Sequence, residues 1–264
     1  MAYPTVSAPY GLKPVNLIGG QVFAGSTRML PIASGYNTNI FYGDVVQITT
    51  DGTIIKNATT NGTSPVAGVI GVFLGVEYTN PGTLQKLRAQ YWPAGTVASD
   101  AVAYVCDDPD TVFKAVICST GTTVAAAGQW AVGNNVALIQ NTGSTSTGDS
   151  TVAVGGTPAS SGYAMRVVSV VPDTQIAVTA SATTSGSSTT VTLASATTLY
   201  PYMTVSGSGV SAGNYIASVT NSTTIVLATA INLASATTLT FVGSPEVLVK
   251  FNFGWHSYYN ATGV

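Results

Sequence analysis

Apolar and polar positions alternate, or gather into short apolar blocks, along most of the chain. Nowhere do they hold a helical period near 3.6 over about ten residues. The pattern predicts strands over residues 28–33, 43–49, 53–56, 66–78, 84–92, 101–106, 112–118, 135–139 and 164–171. Asp51 and Gly52 mark a hairpin turn. The long apolar run 66–78 contains Gly71 and Gly75, where it is expected to bend. Asp107–Asp110 reads as a turn joining 101–106 to 112–118 as an antiparallel pair. Residues 57–64 and 141–156 read as polar loops. The chain closes with a strand over 246–253 and an aromatic tail, Trp255, His256, Tyr258 and Tyr259.

A second pattern divides the chain. From Thr174 to Pro245 there is no charged residue. Within this segment strands are expected at 189–193, 203–205, 215–219, 224–227 and 238–242. The string LASATTL occurs at 193–199 and again at 233–239, too few copies for a solenoid. The last strand resembles the first part of the chain in composition. The expected organisation is therefore an inserted domain over 180–242, a core of 21–179 plus 243–264, and an arm over 1–20. In the arm, Pro4, Pro9 and Pro14 favour an extended path. Its Tyr3, Tyr10 and Leu12 suit a segment that lies on protein, a neighbouring subunit in particular. The expected fold is all-β: a small β-barrel or sandwich core, with an extended N-terminal arm and an inserted small β-sandwich-like domain.

Composition narrows the function. Only 7% of residues are charged, against roughly 25% in ordinary soluble domains. Such a surface is covered by hydroxyls or by other protein, as in large assemblies. Net charge is −2 with no basic stripe, which argues against nucleic acid. No apolar run reaches a membrane-spanning length, and residues 1–15 do not read as a signal peptide, so synthesis in a cytoplasm is expected. Cys106 and Cys118 are expected to be free packed thiols.

Tyr42-Gly43-Asp44-Val45-Val46, Asp51-Gly52-Thr53-Ile54 and Val66-Ala67-Gly68-Val69-Ile70-Gly71-Val72 follow an order that resembles that of capsid decoration, or cement, proteins of tailed bacteriophages. Gly75–Thr79, Tyr91–Pro93, Ala103–Val105 and Asp107–Pro109 resemble structural proteins of marine phages. Met203–Val210 is similar to a small β module of phage and bacterial surface proteins. The resemblance covers about two thirds of the chain. It implies a virion protein on the capsid exterior, made in the host bacterial cytoplasm. Its partners would be the major capsid protein and further copies of itself, as a dimer or trimer, with neither nucleic acid nor membrane. Host-surface glycans are a further expected partner of the insert, through Tyr200, Tyr202 and Tyr215. A tail-tube, tail or fibre protein and a carbohydrate-binding adhesin are the alternatives.

Reactive chemistry is sparse. One histidine, His256, would have to serve any Ser–His–Asp triad. The G-x-S-x-G string at Gly209–Gly213 is followed by a strand pattern where a nucleophile elbow needs a helix. Asp107, Asp108 and Asp110 could offer oxygens to Ca²⁺, but their spacing fits a turn better. No enzyme, cofactor or metal site is expected. The residues singled out for an interface are Tyr3, Tyr10, Leu12, Tyr91, Trp92, Trp255, Tyr258 and Tyr259, aromatics above all because Tyr and Trp are enriched where proteins meet.

Overall fold

The computed structural model describes residues 6–59, 68–234 and 236–263. The protein is all-β; among the described residues, helical structure is limited to single 3-10 turns.

The strands, in chain order, are β1 (Lys13–Leu17), β2 (Arg28–Pro31), β3 (Val45–Ile48), β4 (Ile54–Lys56), β5 (Val69–Thr79), β6 (Lys86–Ala89), β7 (Val102–Cys106), β8 (Thr111–Thr120), β9 (Thr123–Val124) and β10 (Asn135–Ile139). They continue as β11 (Ala153–Ala159), β12 (Met165–Val170), β13 (Ile176–Ser181), β14 (Gly186–Thr192), β15 (Thr204–Ser206), β16 (Ile216–Val219), β17 (Thr224–Leu233), β18 (Thr238–Gly243) and β19 (Glu246–Phe251).

Five strands close on themselves in the order β8-β11-β10-β12-β19, with β19 pairing back onto β8. The β8–β11 contact is parallel and the others are antiparallel. Closure leaves the ring no free edge, while β1 and β9 attach to β8. Period-2 alternation fills the interior: Phe113, Ala115 and Ile117 from β8, Met165 and Val167 from β12, and Val247, Val249 and Phe251 from β19 all point inward. Outward-facing Val116 and Cys118 are covered in turn by Val6 and Tyr10 of the N-terminal segment. Val6 and Tyr10 of that segment thus lie on their own barrel.

A second sheet runs β2-β7-β5-β3-β4, with β6 on β5. A single parallel bridge between Ile32 and Ile54 draws its two ends together. Its interior holds Phe73, Trp92, Ile40 and Ile54, all fully buried. β5 is buried on both faces. Ile70 and Phe73 serve this second core, whereas Val69 and Val72 complete the first one. The core thus consists of a closed barrel and an abutting second sheet that share β5 between their apolar clusters.

The expected pairing of 101–106 with 112–118 is corrected by this arrangement. Both edges of β7 are occupied, by β2 and β5, so β8 has nowhere to pair with it. The Asp107–Asp110 turn instead carries the chain from one sheet to the other. It is closed by Thr111 N donating to the Asp108 carbonyl (3.1 Å) and Asp110 N donating to Asp108 Oδ1 (2.8 Å). Residues 153–156, expected in a loop, begin β11. Part of the expected loop 57–64 and the start of the 66–78 run lie outside the described residues.

Strands β13 to β18 form two three-stranded sheets, β13-β18-β15 and β14-β17-β16, around their own apolar cluster. The two LASATTL strings supply Leu193, Leu199, Leu233 and Leu239 to it, all buried. Burying a side chain such as Phe241 there contributes roughly 1.5–3 kcal/mol. The sandwich leaves and rejoins the barrel through neighbouring strands, because Ile176 at the start of β13 faces Gly243 at the end of β18.

Candidate interaction surface

The aromatic tail is organised by the glycine that follows β19. Phe251 points into the barrel, and Asn252 N still pairs with the Ala164 carbonyl (2.8 Å). Gly254 then adopts a positive φ of 86°, a conformation that suits glycine. The turn sends Trp255 back into the core and leaves Phe253 84% exposed. A 3-10 turn over Ser257–Tyr259 follows, capped by His256 Nδ1, which accepts from Tyr258 N (3.2 Å).

The two tyrosines of this turn straddle the acidic crossover. Tyr258 Oη donates to Asp107 Oδ2 (2.7 Å), and its ring lies under the Arg28 guanidinium, which pairs with the same carboxylate (2.9 Å). Tyr259 Oη donates to Asp110 Oδ1 (3.0 Å), an oxygen that also pairs with Lys250 Nζ. Of the acids that could have offered oxygens to a cation, Asp107 and Asp110 are therefore engaged by Arg28, Lys250 and two phenols, while Asp108 accepts from Asp110 N. Burial, then the bond to Asp107, pushes the Tyr258 phenol up to about 12. Lys250 and the Tyr259 phenol act on Asp110 in the other direction and hold its carboxyl below the ordinary range. Beside them Phe253 stacks on Tyr259, with ring centroids 5.7 Å apart, and Ile18 at the end of β1 is 49% exposed. The result is an apolar outer face on the closed barrel, anchored by ion pairs.

The other expected interface residues fall elsewhere. Leu12 is fully buried in the first core, and its N donates to the Gly43 carbonyl (3.0 Å). Trp92 is fully buried in the second core, with Nε1 donating to the Tyr36 carbonyl (3.1 Å) and its ring edge-on to Tyr78. Tyr91 is half-buried and stacks on Phe41 (5.5 Å). Tyr10 donates to Glu246 Oε1 (2.5 Å), and its phenol is raised by burial and by that carboxylate. Tyr3 lies outside the described residues. Of the eight, Tyr258 and Tyr259 are brought together at an exposed face. Phe253, Ile18 and Arg166 join them there without having been singled out. Strand alternation puts Phe253 inside with Phe251; only the turn at Gly254 reverses it.

The three tyrosines expected to stack on glycans are not gathered on the surface of the sandwich. Tyr202 is buried, and Tyr215 is covered by Trp130. The Gly209–Gly213 string is a turn, with positive φ at both glycines, and His256 is fully buried in the barrel unit. Among the described residues no three His, Cys, Asp or Glu side chains group as metal ligands. Cys106 and Cys118 are free and buried; burial pushes the Cys118 thiol up to about 12.

Compared with models of known protein families, with curated proteins and with solved structures, the chain finds no match.

Proposed function

We propose that this chain is a structural protein of a bacteriophage particle, a decoration or cement protein that binds the outer capsid surface and bridges capsid subunits. The observation that carries this reading is a charge-poor β body whose basic side chains are nearly all paired within the chain while an aromatic face is left open. Seven of the eight basic side chains, Lys13, Arg28, Lys56, Lys86, Arg88, Lys114 and Lys250, pair with carboxylates of the same chain. Little charge remains to steer transient partners. Exposed Phe253, Ile18 and Tyr258 instead favour permanent burial against protein.

The mechanism is additive. Each copy seats an apolar face across a junction of shell subunits, and small free energies sum over many symmetry-related copies. The closed barrel supplies rigidity. The sandwich, uncharged and clothed in Ser and Thr, projects away from the shell. No step of chemistry is involved, and the protein acts without a cofactor. Cryo-electron microscopy of particles that carry this protein tests the reading. Density for the chain at capsid subunit junctions is the expected result. Its absence from the capsid, or its location in the tail, overturns the proposal.

A further inference from the structure

The open face is more than a hydrophobic patch. Between β12, β19 and the tail lies a hollow of about 510 Å³ whose walls include Ile18, Val168, Phe253 and Tyr259. Arg166 and Lys250 reach it from adjacent strands, in register opposite one another. Lys250 is neutralised by Asp110. Arg166 is the one basic side chain among the described residues with no carboxylate in ion-pair range. Its Nε donates to Asn135 Oδ1 (3.1 Å), which orients the guanidinium, and among the described residues its two amino groups have no hydrogen-bond partner. An apolar hollow bordered by one oriented, unpaired guanidinium is matched by an apolar side chain next to a carboxylate.

We propose that this hollow seats an extended segment of a partner protein in which an apolar side chain is flanked by an acidic one, the carboxylate pairing with Arg166. The inference rests on the capsid-binding reading, for which it names the contact surface. A second copy of this chain fits less well. A two-fold contact through this face brings in a second unpaired Arg166, and Asp110, the carboxylate beside Lys250, is already held by Lys250 and Tyr259.

The test is NMR titration of the ¹⁵N-labelled full chain with acetyl-glycyl-phenylalanyl-glutamyl-glycinamide and with its glutaminyl counterpart. Saturable shifts at Ile18, Arg166 and Phe253 are expected, with the glutamyl peptide binding roughly fivefold tighter, the scale of an exposed ion pair. Arg166→Gln should erase that preference. Phe253→Ser, at an exposed position that leaves the core intact, should weaken both peptides. The absence of saturable shifts, or equal affinity for the two peptides, overturns the proposal. Sedimentation showing self-association that Phe253→Ser abolishes also overturns it, by assigning the face to a second copy. Peptide binding by a chain that microscopy does not find on the capsid defeats the capsid reading alone. A capsid-bound chain with a silent hollow defeats this inference alone.

Discussion

Trp130 lies flat against Tyr215, with ring centroids 3.8 Å apart and planes 14° from parallel. The pair fastens the sandwich to the barrel, since Trp130 belongs to the short turn before β10 and Tyr215 to the start of β16. Trp130 Nε1 also donates to the Tyr202 carbonyl (3.0 Å), as does Gly128 N (3.1 Å). A Cβ on Gly128 would stand 1.8 Å from Thr204 Oγ1, so the surfaces meet with no room between them. Trp130→Ala is expected to destabilise the protein by about 2 kcal/mol, the stacking and part of the burial being lost. Urea unfolding followed by hydrogen exchange should show the sandwich strands losing protection before the barrel strands. Equal loss in both units would mean that the stack does not couple them.

Gly71 presents the sharpest packing constraint in the second sheet. Its φ is 152°, and a Cβ there would lie 2.0 Å from the Cys106 carbonyl oxygen. Only by spreading β5 from β7 could a side chain fit. Gly71→Ala is expected to cost roughly 3 kcal/mol or more, through overpacking and backbone strain together. Gly52→Ala is the control. Gly52 also has a positive φ, 74°, but a Cβ there meets nothing within 4 Å, so its cost should stay near 1 kcal/mol. Comparable chemical-denaturation midpoints for the two variants would refute the close-approach argument.

The strands were legible in the sequence because alternation and β-branched runs report local burial, as in β8 with Phe113, Ala115 and Ile117 pointing one way. In the charge-free segment, the buried leucines recur at matching places in the two LASATTL strings. Pairing was legible at the Asp51-Gly52 hairpin, which joins β3 to β4, but not between β7 and β8. Nothing local in Cys106 or Val112 indicates that β7 already has two neighbours, and so the acidic crossover read as a hairpin. Which aromatics are buried was not legible for a related reason. An aromatic side chain reads the same whether it fills a core, as Trp92 does, or stands in solvent, as Phe253 does. The difference lies in the turn at Gly254 and in the long-range closure of the barrel.

Tyr10 is the clasp of the N-terminal segment. Its hydroxyl reaches Glu246, nearly buried at the start of β19, and Lys114 pairs with the same oxygen at 3.3 Å. Tyr10→Phe keeps the ring under Lys13 and Lys114 but takes the donor from a carboxylate that has little water to turn to. A loss of about 1–2 kcal/mol is expected. Amide exchange of residues 6–12 should accelerate more than that of β8. Unchanged exchange in the segment would show that apolar packing by Val6 and Leu12 holds it without the clasp.

His256 should give the protein an acid-sensitive tail. The imidazole is fully buried, and its Nε2 has no hydrogen-bond partner. Burial lowers its pKa from the ordinary 6.5, opposed in part by backbone groups of Ile70 and Asp107 and by the charges of Asp107 and Asp108. Phe251, Tyr258 and Tyr259 crowd the ring and add no charge near neutral pH. Below about pH 6.5 the unfolded chain binds a proton that the folded chain refuses, so it holds more protons and stability must rise with pH across that window. The contribution is complete above the unfolded value and is lost as pH falls through the folded one. His256→Asn retains an acceptor for Tyr258 N while removing the titration. The urea midpoint of the natural protein is expected to fall between pH 7 and pH 5, and that of the variant to change less, even if it starts lower. Parallel profiles for the two proteins would place the acid sensitivity in other groups.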